Sequence, residues 1–109
     1  MSMRKQAEFV VIFTSTLSEA AGYETAAERM LELVQQQPGF LGFESARGED
    51  GLGITVSYWD SEESIRAWRD QPEHAATRKR GRDTWYSSFH LTVAKVQKEQ
   101  WWTKETRGE

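Results

Sequence analysis

One histidine in this sequence has the chemistry and the position of a catalytic group. His74 follows Pro72 and Glu73 in the first turn of a predicted helix segment. Because an imidazole titrates near neutral pH, His74 could act as a general base or donate a hydrogen bond to a bound phenol. The alternative is that His74 bonds to the backbone and fixes the kink at Pro72. We take His74 as the candidate catalytic residue and leave both interpretations open.

Large aromatic side chains surround the segment that contains His74. Trp59 and Trp68 precede it, and Trp85 and Tyr86 follow it. Such residues could line an aromatic cavity between helices and a sheet, which is the usual form of a small-molecule pocket. The alternative is ordinary core packing, and for Trp59 it is the preferred interpretation. Trp59, Trp68 and Trp85 are therefore candidate substrate-pocket residues, and Tyr86 is a candidate hydrogen-bond partner of the substrate.

Other kinds of chemistry are not indicated. Two histidines and no cysteine make a poor metal site and exclude thiolate ligands, so no metal is predicted. The basic cluster at 78–82 ends a predicted helix, where cations offset the macrodipole, and the net charge of -3 gives no attraction to nucleic acid. No apolar run approaches the ~20 residues of a membrane span, and residues 1–9 lack a signal-peptide stretch. We expect a cytoplasmic protein without nucleic-acid or membrane partners.

Six elements along the chain must position these residues. The patterns predict four strands and two helical units in one domain, residues 1–109, with a core of about 7–97 and a polar tail at 98–109. Right-handed crossovers on this order give an α+β fold, a ferredoxin-like βαββαβ antiparallel sheet with both helical units on one face. The predicted strands are 7–16, 40–47, 54–59 and 86–97, and the predicted helical units are 18–36 and 60–81.

Capping residues and alternation add local detail to this prediction. Ser18 is the predicted N-cap of the first helix, and Asp60 is the predicted N-cap of the second, with Glu63 completing a capping box. Pro72 kinks or divides the second helical unit, and Gly81 ends it. In the last strand, Phe89, Leu91 and Val93 share one side, whereas Tyr86, Ser88 and His90 share the other.

An unbroken apolar run in the first strand bears on oligomeric state. Residues 9–13 are apolar without alternation, which indicates burial on both faces of the sheet. Two helical units can cover only one face of a four-stranded sheet. The other face needs a cover, and we predict that a second copy supplies it, forming a homodimer through the open sheet face.

Short motifs at the strand ends point to a family. Pro38-Gly39-Phe40 begins one predicted strand, and Trp59-Asp60-Ser61-Glu62 joins another to a helix. Ala67-Trp68, Glu73-His74 and Gly81-Arg82 extend the pattern. Over roughly residues 8–96, it resembles the antibiotic biosynthesis monooxygenase (ABM) superfamily of dimeric α+β barrels. The ending Trp85-Tyr86-Ser87-Ser88 is most similar to superfamily members without an assigned function.

The resemblance implies a function and ranks its alternatives. It implies a cofactor-independent monooxygenase acting on a small electron-rich aromatic of the quinol or anthrone type, with His74 as base and Tyr86 as hydrogen-bond partner. No flavin, haem or metal is then required. The alternative is a non-catalytic small-molecule binding or stress-response protein of the same fold. A haem-binding or haem-degrading protein ranks last.

Two departures from the superfamily pattern separate its activities. Haem-degrading members carry an asparagine in the first strand and an axial histidine about one helix length after the helical tryptophan. Here residues 9–16 contain no asparagine, and Arg78 stands ten residues after Trp68. Quinone-forming members place an asparagine in the third strand, at the position of Thr55. The sequence therefore preserves neither of these residue sets intact.

Overall fold

Four antiparallel strands form one sheet, and the helices lie between them in sequence. The computed structural model describes residues 4–104. The sheet order is β2-β3-β1-β4, which confirms the predicted ferredoxin-like α+β fold. The strands are β1 (Phe9–Leu17), β2 (Phe40–Arg47), β3 (Leu52–Trp59) and β4 (Tyr86–Lys95), and the helices are α1 (Tyr23–Val34), α2 (Glu62–Asp70) and α3 (Pro72–Arg80).

The strand register divides the sheet into two sides. Phe13 lies opposite Thr55 on β3 and Leu91 on β4, so these three side chains share one side. The Phe13 ring packs 5.5 Å from the Tyr86 ring, which lies 5.9 Å from the ring of Tyr23 in α1. We call this the helix-facing side. The opposite, open side carries Val10, Ile12, Ile54, Val56 and Tyr58.

Helix α1 begins later than predicted. Ser18 is not its N-cap, because the Ser18 and Glu19 amides donate to the Trp85 carbonyl at 2.8 and 3.2 Å. The chain then turns, and Gly22 caps the helix with φ at 80°, a left-handed conformation that glycine adopts without strain. The helix therefore begins only at Tyr23.

The second helical unit is two helices, as Pro72 allows. Asp60 is not the N-cap of α2; Ser61 is, because its hydroxyl accepts from the Ser64 amide at 3.1 Å. Asp60 instead accepts a hydrogen bond from the Ser64 hydroxyl. Pro72 is the first residue of α3, where its missing N–H costs nothing.

Gly81 ends α3 as predicted, but a π-helical turn, Gly81–Trp85, follows before β4. A Cβ on Gly81 would lie 2.7 Å from Cε2 of Tyr86, so glycine makes room for that ring. The register of β1 and β4 shifts at Thr16 and Leu17. Tyr86 consequently lies on the helix-facing side, and the prediction that it shares a side with Ser88 and His90 is wrong.

The two ends of the described chain, residues 4–8 and 96–101, meet at one corner of the sheet. Arg4 donates two hydrogen bonds to the Glu99 carboxylate, at 3.0 and 2.7 Å, and Glu99 also accepts from the Ala7 amide. The Arg4 guanidinium lies over the rings of Tyr58 and Trp101. Part of the predicted polar tail is therefore ordered here, whereas residues 105–109 lie outside the described residues. Within residues 4–104, no helix is long and apolar enough to span a membrane.

Candidate functional site

The helix-facing side of the sheet is not fully covered by the helices. Phe89, Leu91 and Val93 on β4 remain 46%, 50% and 43% exposed. On the same side, Ser45 of β2 lies 2.9 Å from Thr55 of β3, hydroxyl to hydroxyl. This surface thus combines an apolar wall with a row of hydroxyl groups. An aromatic ligand with polar substituents fits that chemistry.

His74 is half-buried at the corner between α2 and α3. Its ring stacks on Trp68, with centroids 3.8 Å apart and planes at 10°. Burial lowers the pKa of His74 to about 4, although a hydrogen bond to the Trp68 carbonyl acts in the opposite direction. Because a carbonyl only accepts, Nδ1 carries the proton in this 2.8 Å contact, and Nε2 keeps its lone pair.

The same residue also fixes the corner, as the alternative interpretation predicted. The His74 amide donates to the Gln71 side chain at 2.8 Å, which caps α3. The ring bond to Trp68 ties the first turn of α3 to the last turn of α2. His74 therefore has a structural role through its amide and Nδ1, and the atom left for chemistry is Nε2.

Arg78 is a residue that the sequence prediction assigned to a solvated basic cluster. Its Nη2 donates to the Arg69 carbonyl at 3.0 Å, and its Nε is buried without a partner among the described residues. The charge of Arg78 also acts on His74 and lowers its pKa further. A buried N–H without an acceptor is costly, so Arg78 offers a donor that a ligand oxygen or water would satisfy.

The remaining basic residues do lie at the helix end. Lys79 pairs with Asp83 at 2.6 Å, and Arg80 lies over the Trp85 ring, 4.6 Å from its centroid. Only burial distinguishes Arg78 from these neighbours, and a run of four cations gives no sign of which one points inward. The orientation of Arg78 depends on packing at the Pro72 corner.

The predicted aromatic residues separate into different environments. Trp59 is 1% exposed, packs on Phe40, and donates to the Ser57 hydroxyl at 2.9 Å. Trp85 is 2% exposed and donates to the Ala21 carbonyl at 2.8 Å. Trp68 is half-buried against His74. The structure thus brings Trp68 to His74, whereas Trp59 and Trp85 are core residues whose ring nitrogens are already bonded.

Tyr86 belongs to a polar group that the sequence did not reveal. Arg47 Nη2 donates to the Ser15 hydroxyl at 2.8 Å and to the Tyr23 hydroxyl at 3.3 Å. Burial raises the pKa of Tyr86, and its hydrogen bond with Tyr23 raises it further. We call Ser15, Tyr23, Arg47 and Tyr86 the Arg47 cluster. Its only sequence signal is a polar residue, Ser15, near the end of an apolar strand.

Two surface grooves are bordered by residues other than the predicted site residues. One, of about 550 Å³, lies beside the joined termini and is bordered by Arg4, Tyr58 and Trp101. The other, of about 580 Å³, lies between α1 and α3. None of the five predicted site residues borders either groove. In the described part of the chain, no cluster of three or more potential metal-ligating side chains is present.

The fold and its site define a class of protein. It is a small ferredoxin-like α+β protein with one helical layer, an incompletely covered helix-facing surface and an open opposite side. The family model for antibiotic biosynthesis monooxygenase matches residues 9–80. The chain belongs to the antibiotic biosynthesis monooxygenase family.

Known relatives extend this assignment. The chain is 50% identical over 99 residues to the uncharacterised protein YqjZ of Bacillus subtilis (strain 168), covering 90% of this chain and 87% of YqjZ. It shares its fold with SnoaB, a cofactor-independent oxygenase from Streptomyces nogalater, with a TM-score of 0.68, 18% identity, and coverage of 95% and 100%. The chain also shares its fold with Rv0793 from Mycobacterium tuberculosis, with a TM-score of 0.75 and 12% identity, covering 85% of this chain and 98% of Rv0793.

Proposed function

We propose that this protein is a cytoplasmic, cofactor-independent monooxygenase that acts on a small electron-rich aromatic of the quinol or anthrone type. Family membership and the fold shared with the oxygenase SnoaB support the reaction class. The observation that carries the proposal is geometric: the His74 Nδ1 bond to the Trp68 carbonyl leaves Nε2 as an acceptor, one helical turn before the buried donor of Arg78 in α3. The aromatic ring would lie on the helix-facing surface near Trp68.

Each group has a defined task in this mechanism. His74 Nε2 takes a proton from the substrate, and its low pKa keeps the imidazole unprotonated before the substrate binds. The anion that forms beside it raises the imidazole pKa and so favours the transfer. Arg78 Nε–H and the Tyr86 hydroxyl donate to substrate oxygens. The deprotonated substrate then gives an electron to dioxygen; one oxygen atom enters an anthrone methylene as a carbonyl, and the other leaves as water.

Oxygen uptake tests this proposal. We expect the wild-type protein to consume oxygen with at least one member of a panel of anthrones and quinols, and His74→Ala to lower that rate about 100-fold or more. His90→Ala is the matched control, because His90 lies on the opposite side of the sheet from the helices that carry His74. Equal rates in the wild type and His74→Ala would remove His74 from the reaction. No uptake by the wild-type protein with any panel member would count against the enzyme.

A second candidate function is a non-catalytic binding protein of the same fold. It is favoured by one observation: the ring nitrogens of Trp59 and Trp85 and Nδ1 of His74 are all bonded within the chain. Such a site would hold an aromatic ligand mainly by packing. Binding of a panel member without any oxygen uptake would favour this candidate. Haem binding remains the last-ranked alternative.

We further propose that the protein is a homodimer whose subunits associate through the open side. Leu52 and Ile54 are 46% and 47% exposed there, beside Ile12 and Val56. No helix within residues 4–104 covers this side, so its apolar residues remain in contact with water in a monomer. A second copy would bury them by packing sheet against sheet. The ABM superfamily resemblance implies the same arrangement.

Charge insertion on the open side tests the dimer. We expect Ile54→Lys to shift the protein from dimer to monomer in sedimentation velocity, because an interface cannot bury an unpaired ammonium without a large cost. Leu91→Lys is the matched control, since Leu91 is 50% exposed but lies on the helix-facing side. A dimer that Ile54→Lys leaves intact, or that Leu91→Lys alone disrupts, would contradict the assignment of the interface.

A further inference from the structure

The Arg47 cluster has a hydrogen-bond inventory that can be counted. Arg47 donates four hydrogen bonds, to the Ser15 hydroxyl, the Tyr23 hydroxyl and the carbonyls of Ser15 and Gly51. A guanidinium only donates, so Ser15 Oγ and Tyr23 Oη act as acceptors towards it. The Tyr86 ring completes the group, with its centroid 5.9 Å from that of Tyr23.

The Tyr23 hydroxyl hydrogen has no acceptor among the side chains and carbonyls of residues 4–104. Tyr23 Oη accepts from Arg47, so its own hydrogen is left to donate elsewhere. Arg47 cannot accept it, because a guanidinium only donates. The cluster therefore has a surplus of phenolic donors and carries a positive charge.

The cluster adjoins the apolar wall of the helix-facing surface. The Tyr86 ring lies 6.4 Å from the ring of Phe89 and 5.5 Å from that of Phe13. Phe89 is 46% exposed, so a ligand ring could pack on it without displacing the core. Ser15 is 2% exposed, so a ligand on this surface would not contact it.

We propose that the Arg47 cluster is a hydrogen-bond donor site for a carbonyl or phenolate oxygen of a ligand whose ring lies on Phe13 and Phe89. Its surplus phenolic hydrogen donates to that oxygen, and the Arg47 guanidinium favours a ligand with negative charge. The proposal rests on the proposed function for the aromatic nature of the ligand. Tyr23 and Arg47 thereby become determinants of ligand specificity. Tyr86 contacts the ligand, and packing against the Tyr23 ring fixes the orientation of the Tyr86 side chain.

Equilibrium dialysis with two probes tests this inference. 1,4-Naphthoquinone carries two acceptor oxygens, whereas naphthalene has the same rings without oxygen. We expect the double variant Tyr23→Phe/Tyr86→Phe to bind naphthoquinone about 5- to 10-fold more weakly and naphthalene with unchanged affinity, because only the donor is lost. Tyr58→Phe is the matched control, since that hydroxyl donates to Glu44 on the open side.

The outcomes separate this inference from the proposed function. Equal naphthoquinone affinity in the wild type and the double variant overturns the inference, and so does a wild-type protein that binds the two probes equally or not at all. If the double variant does not fold, the single variants Tyr23→Phe and Tyr86→Phe replace it. If neither single variant binds naphthoquinone more weakly than the wild type, the inference is overturned. If naphthoquinone binds more tightly than naphthalene through the two phenols, but no oxygen uptake occurs, this inference holds and the monooxygenase proposal fails.

Discussion

Replacing Gly39 by alanine is expected to lower the free energy of unfolding by about 3 kcal/mol. Gly39 has φ at 83°, where a Cβ is strained, and that Cβ would lie 2.1 Å from the Ser64 hydroxyl oxygen and 2.3 Å from Asp60 Oδ1. The left-handed conformation costs roughly 1 kcal/mol, and forcing apart a packed contact adds roughly 1–3 kcal/mol. Chemical denaturation of the wild type and the variant measures the difference.

Gly22 provides the control for this prediction. Its φ of 80° is nearly the same, but a Cβ there would meet its nearest neighbour, an Arg80 nitrogen, at 3.5 Å, an ordinary contact. Gly22→Ala should therefore show the conformational cost of about 1 kcal/mol alone. Equal destabilisation by the two substitutions would show that the close approach of Gly39 to α2 is not the reason for glycine in the Pro38-Gly39-Phe40 motif.

Acidification is expected to remove roughly 2–3 kcal/mol of stability through His74. The folded-state pKa is about 4, and that of an unfolded histidine is about 6.5. Between these values the unfolded chain binds a proton that the folded chain does not, so the free energy of unfolding falls as pH falls from 6.5 to 4. Above pH 6.5 the contribution is fully present. Denaturant unfolding at a series of pH values measures this slope.

The variant His74→Gln isolates this effect from the carboxylates that titrate at the lower end of the range. Its free energy of unfolding should change less between pH 6.5 and 4 than that of the wild type, by the amount above. A wild-type slope in His74→Gln would show that the imidazole is not held neutral by burial.

Periodicity and turn residues predicted the architecture because they are local signals. The unbroken apolar run of β1, the stripe of α1 and the break at Pro72 each depend on a few neighbouring residues, and all three elements are present. The helix N-caps were harder to predict from the sequence. Ser18 has the chemistry of an N-cap, but its amide bonds to Trp85, a partner 67 residues away. A contact of that range has no local signature.

The candidate site depends on packing and was only partly predictable. Residue type and spacing make His74 a candidate, and its role stays a prediction. The inward orientation of Arg78 and the side of the sheet on which Tyr86 lies were not predictable from the sequence. The first depends on burial, and the second on a register shift between β1 and β4 that alternation cannot reveal. Which tryptophans border a ligand stays a prediction.

We expect ligands to bind on the helix-facing side while the open side associates with a second copy. Methyl-selective NMR of the protein titrated with 1,4-naphthoquinone tests it most directly, because neighbouring residues of one strand report on opposite sides. We predict shifts for the methyl groups of Leu91 and Val93 and none for those of Ile12 and Val56. Shifts confined to Ile12 and Val56 would place the ligand on the open side and contradict the account.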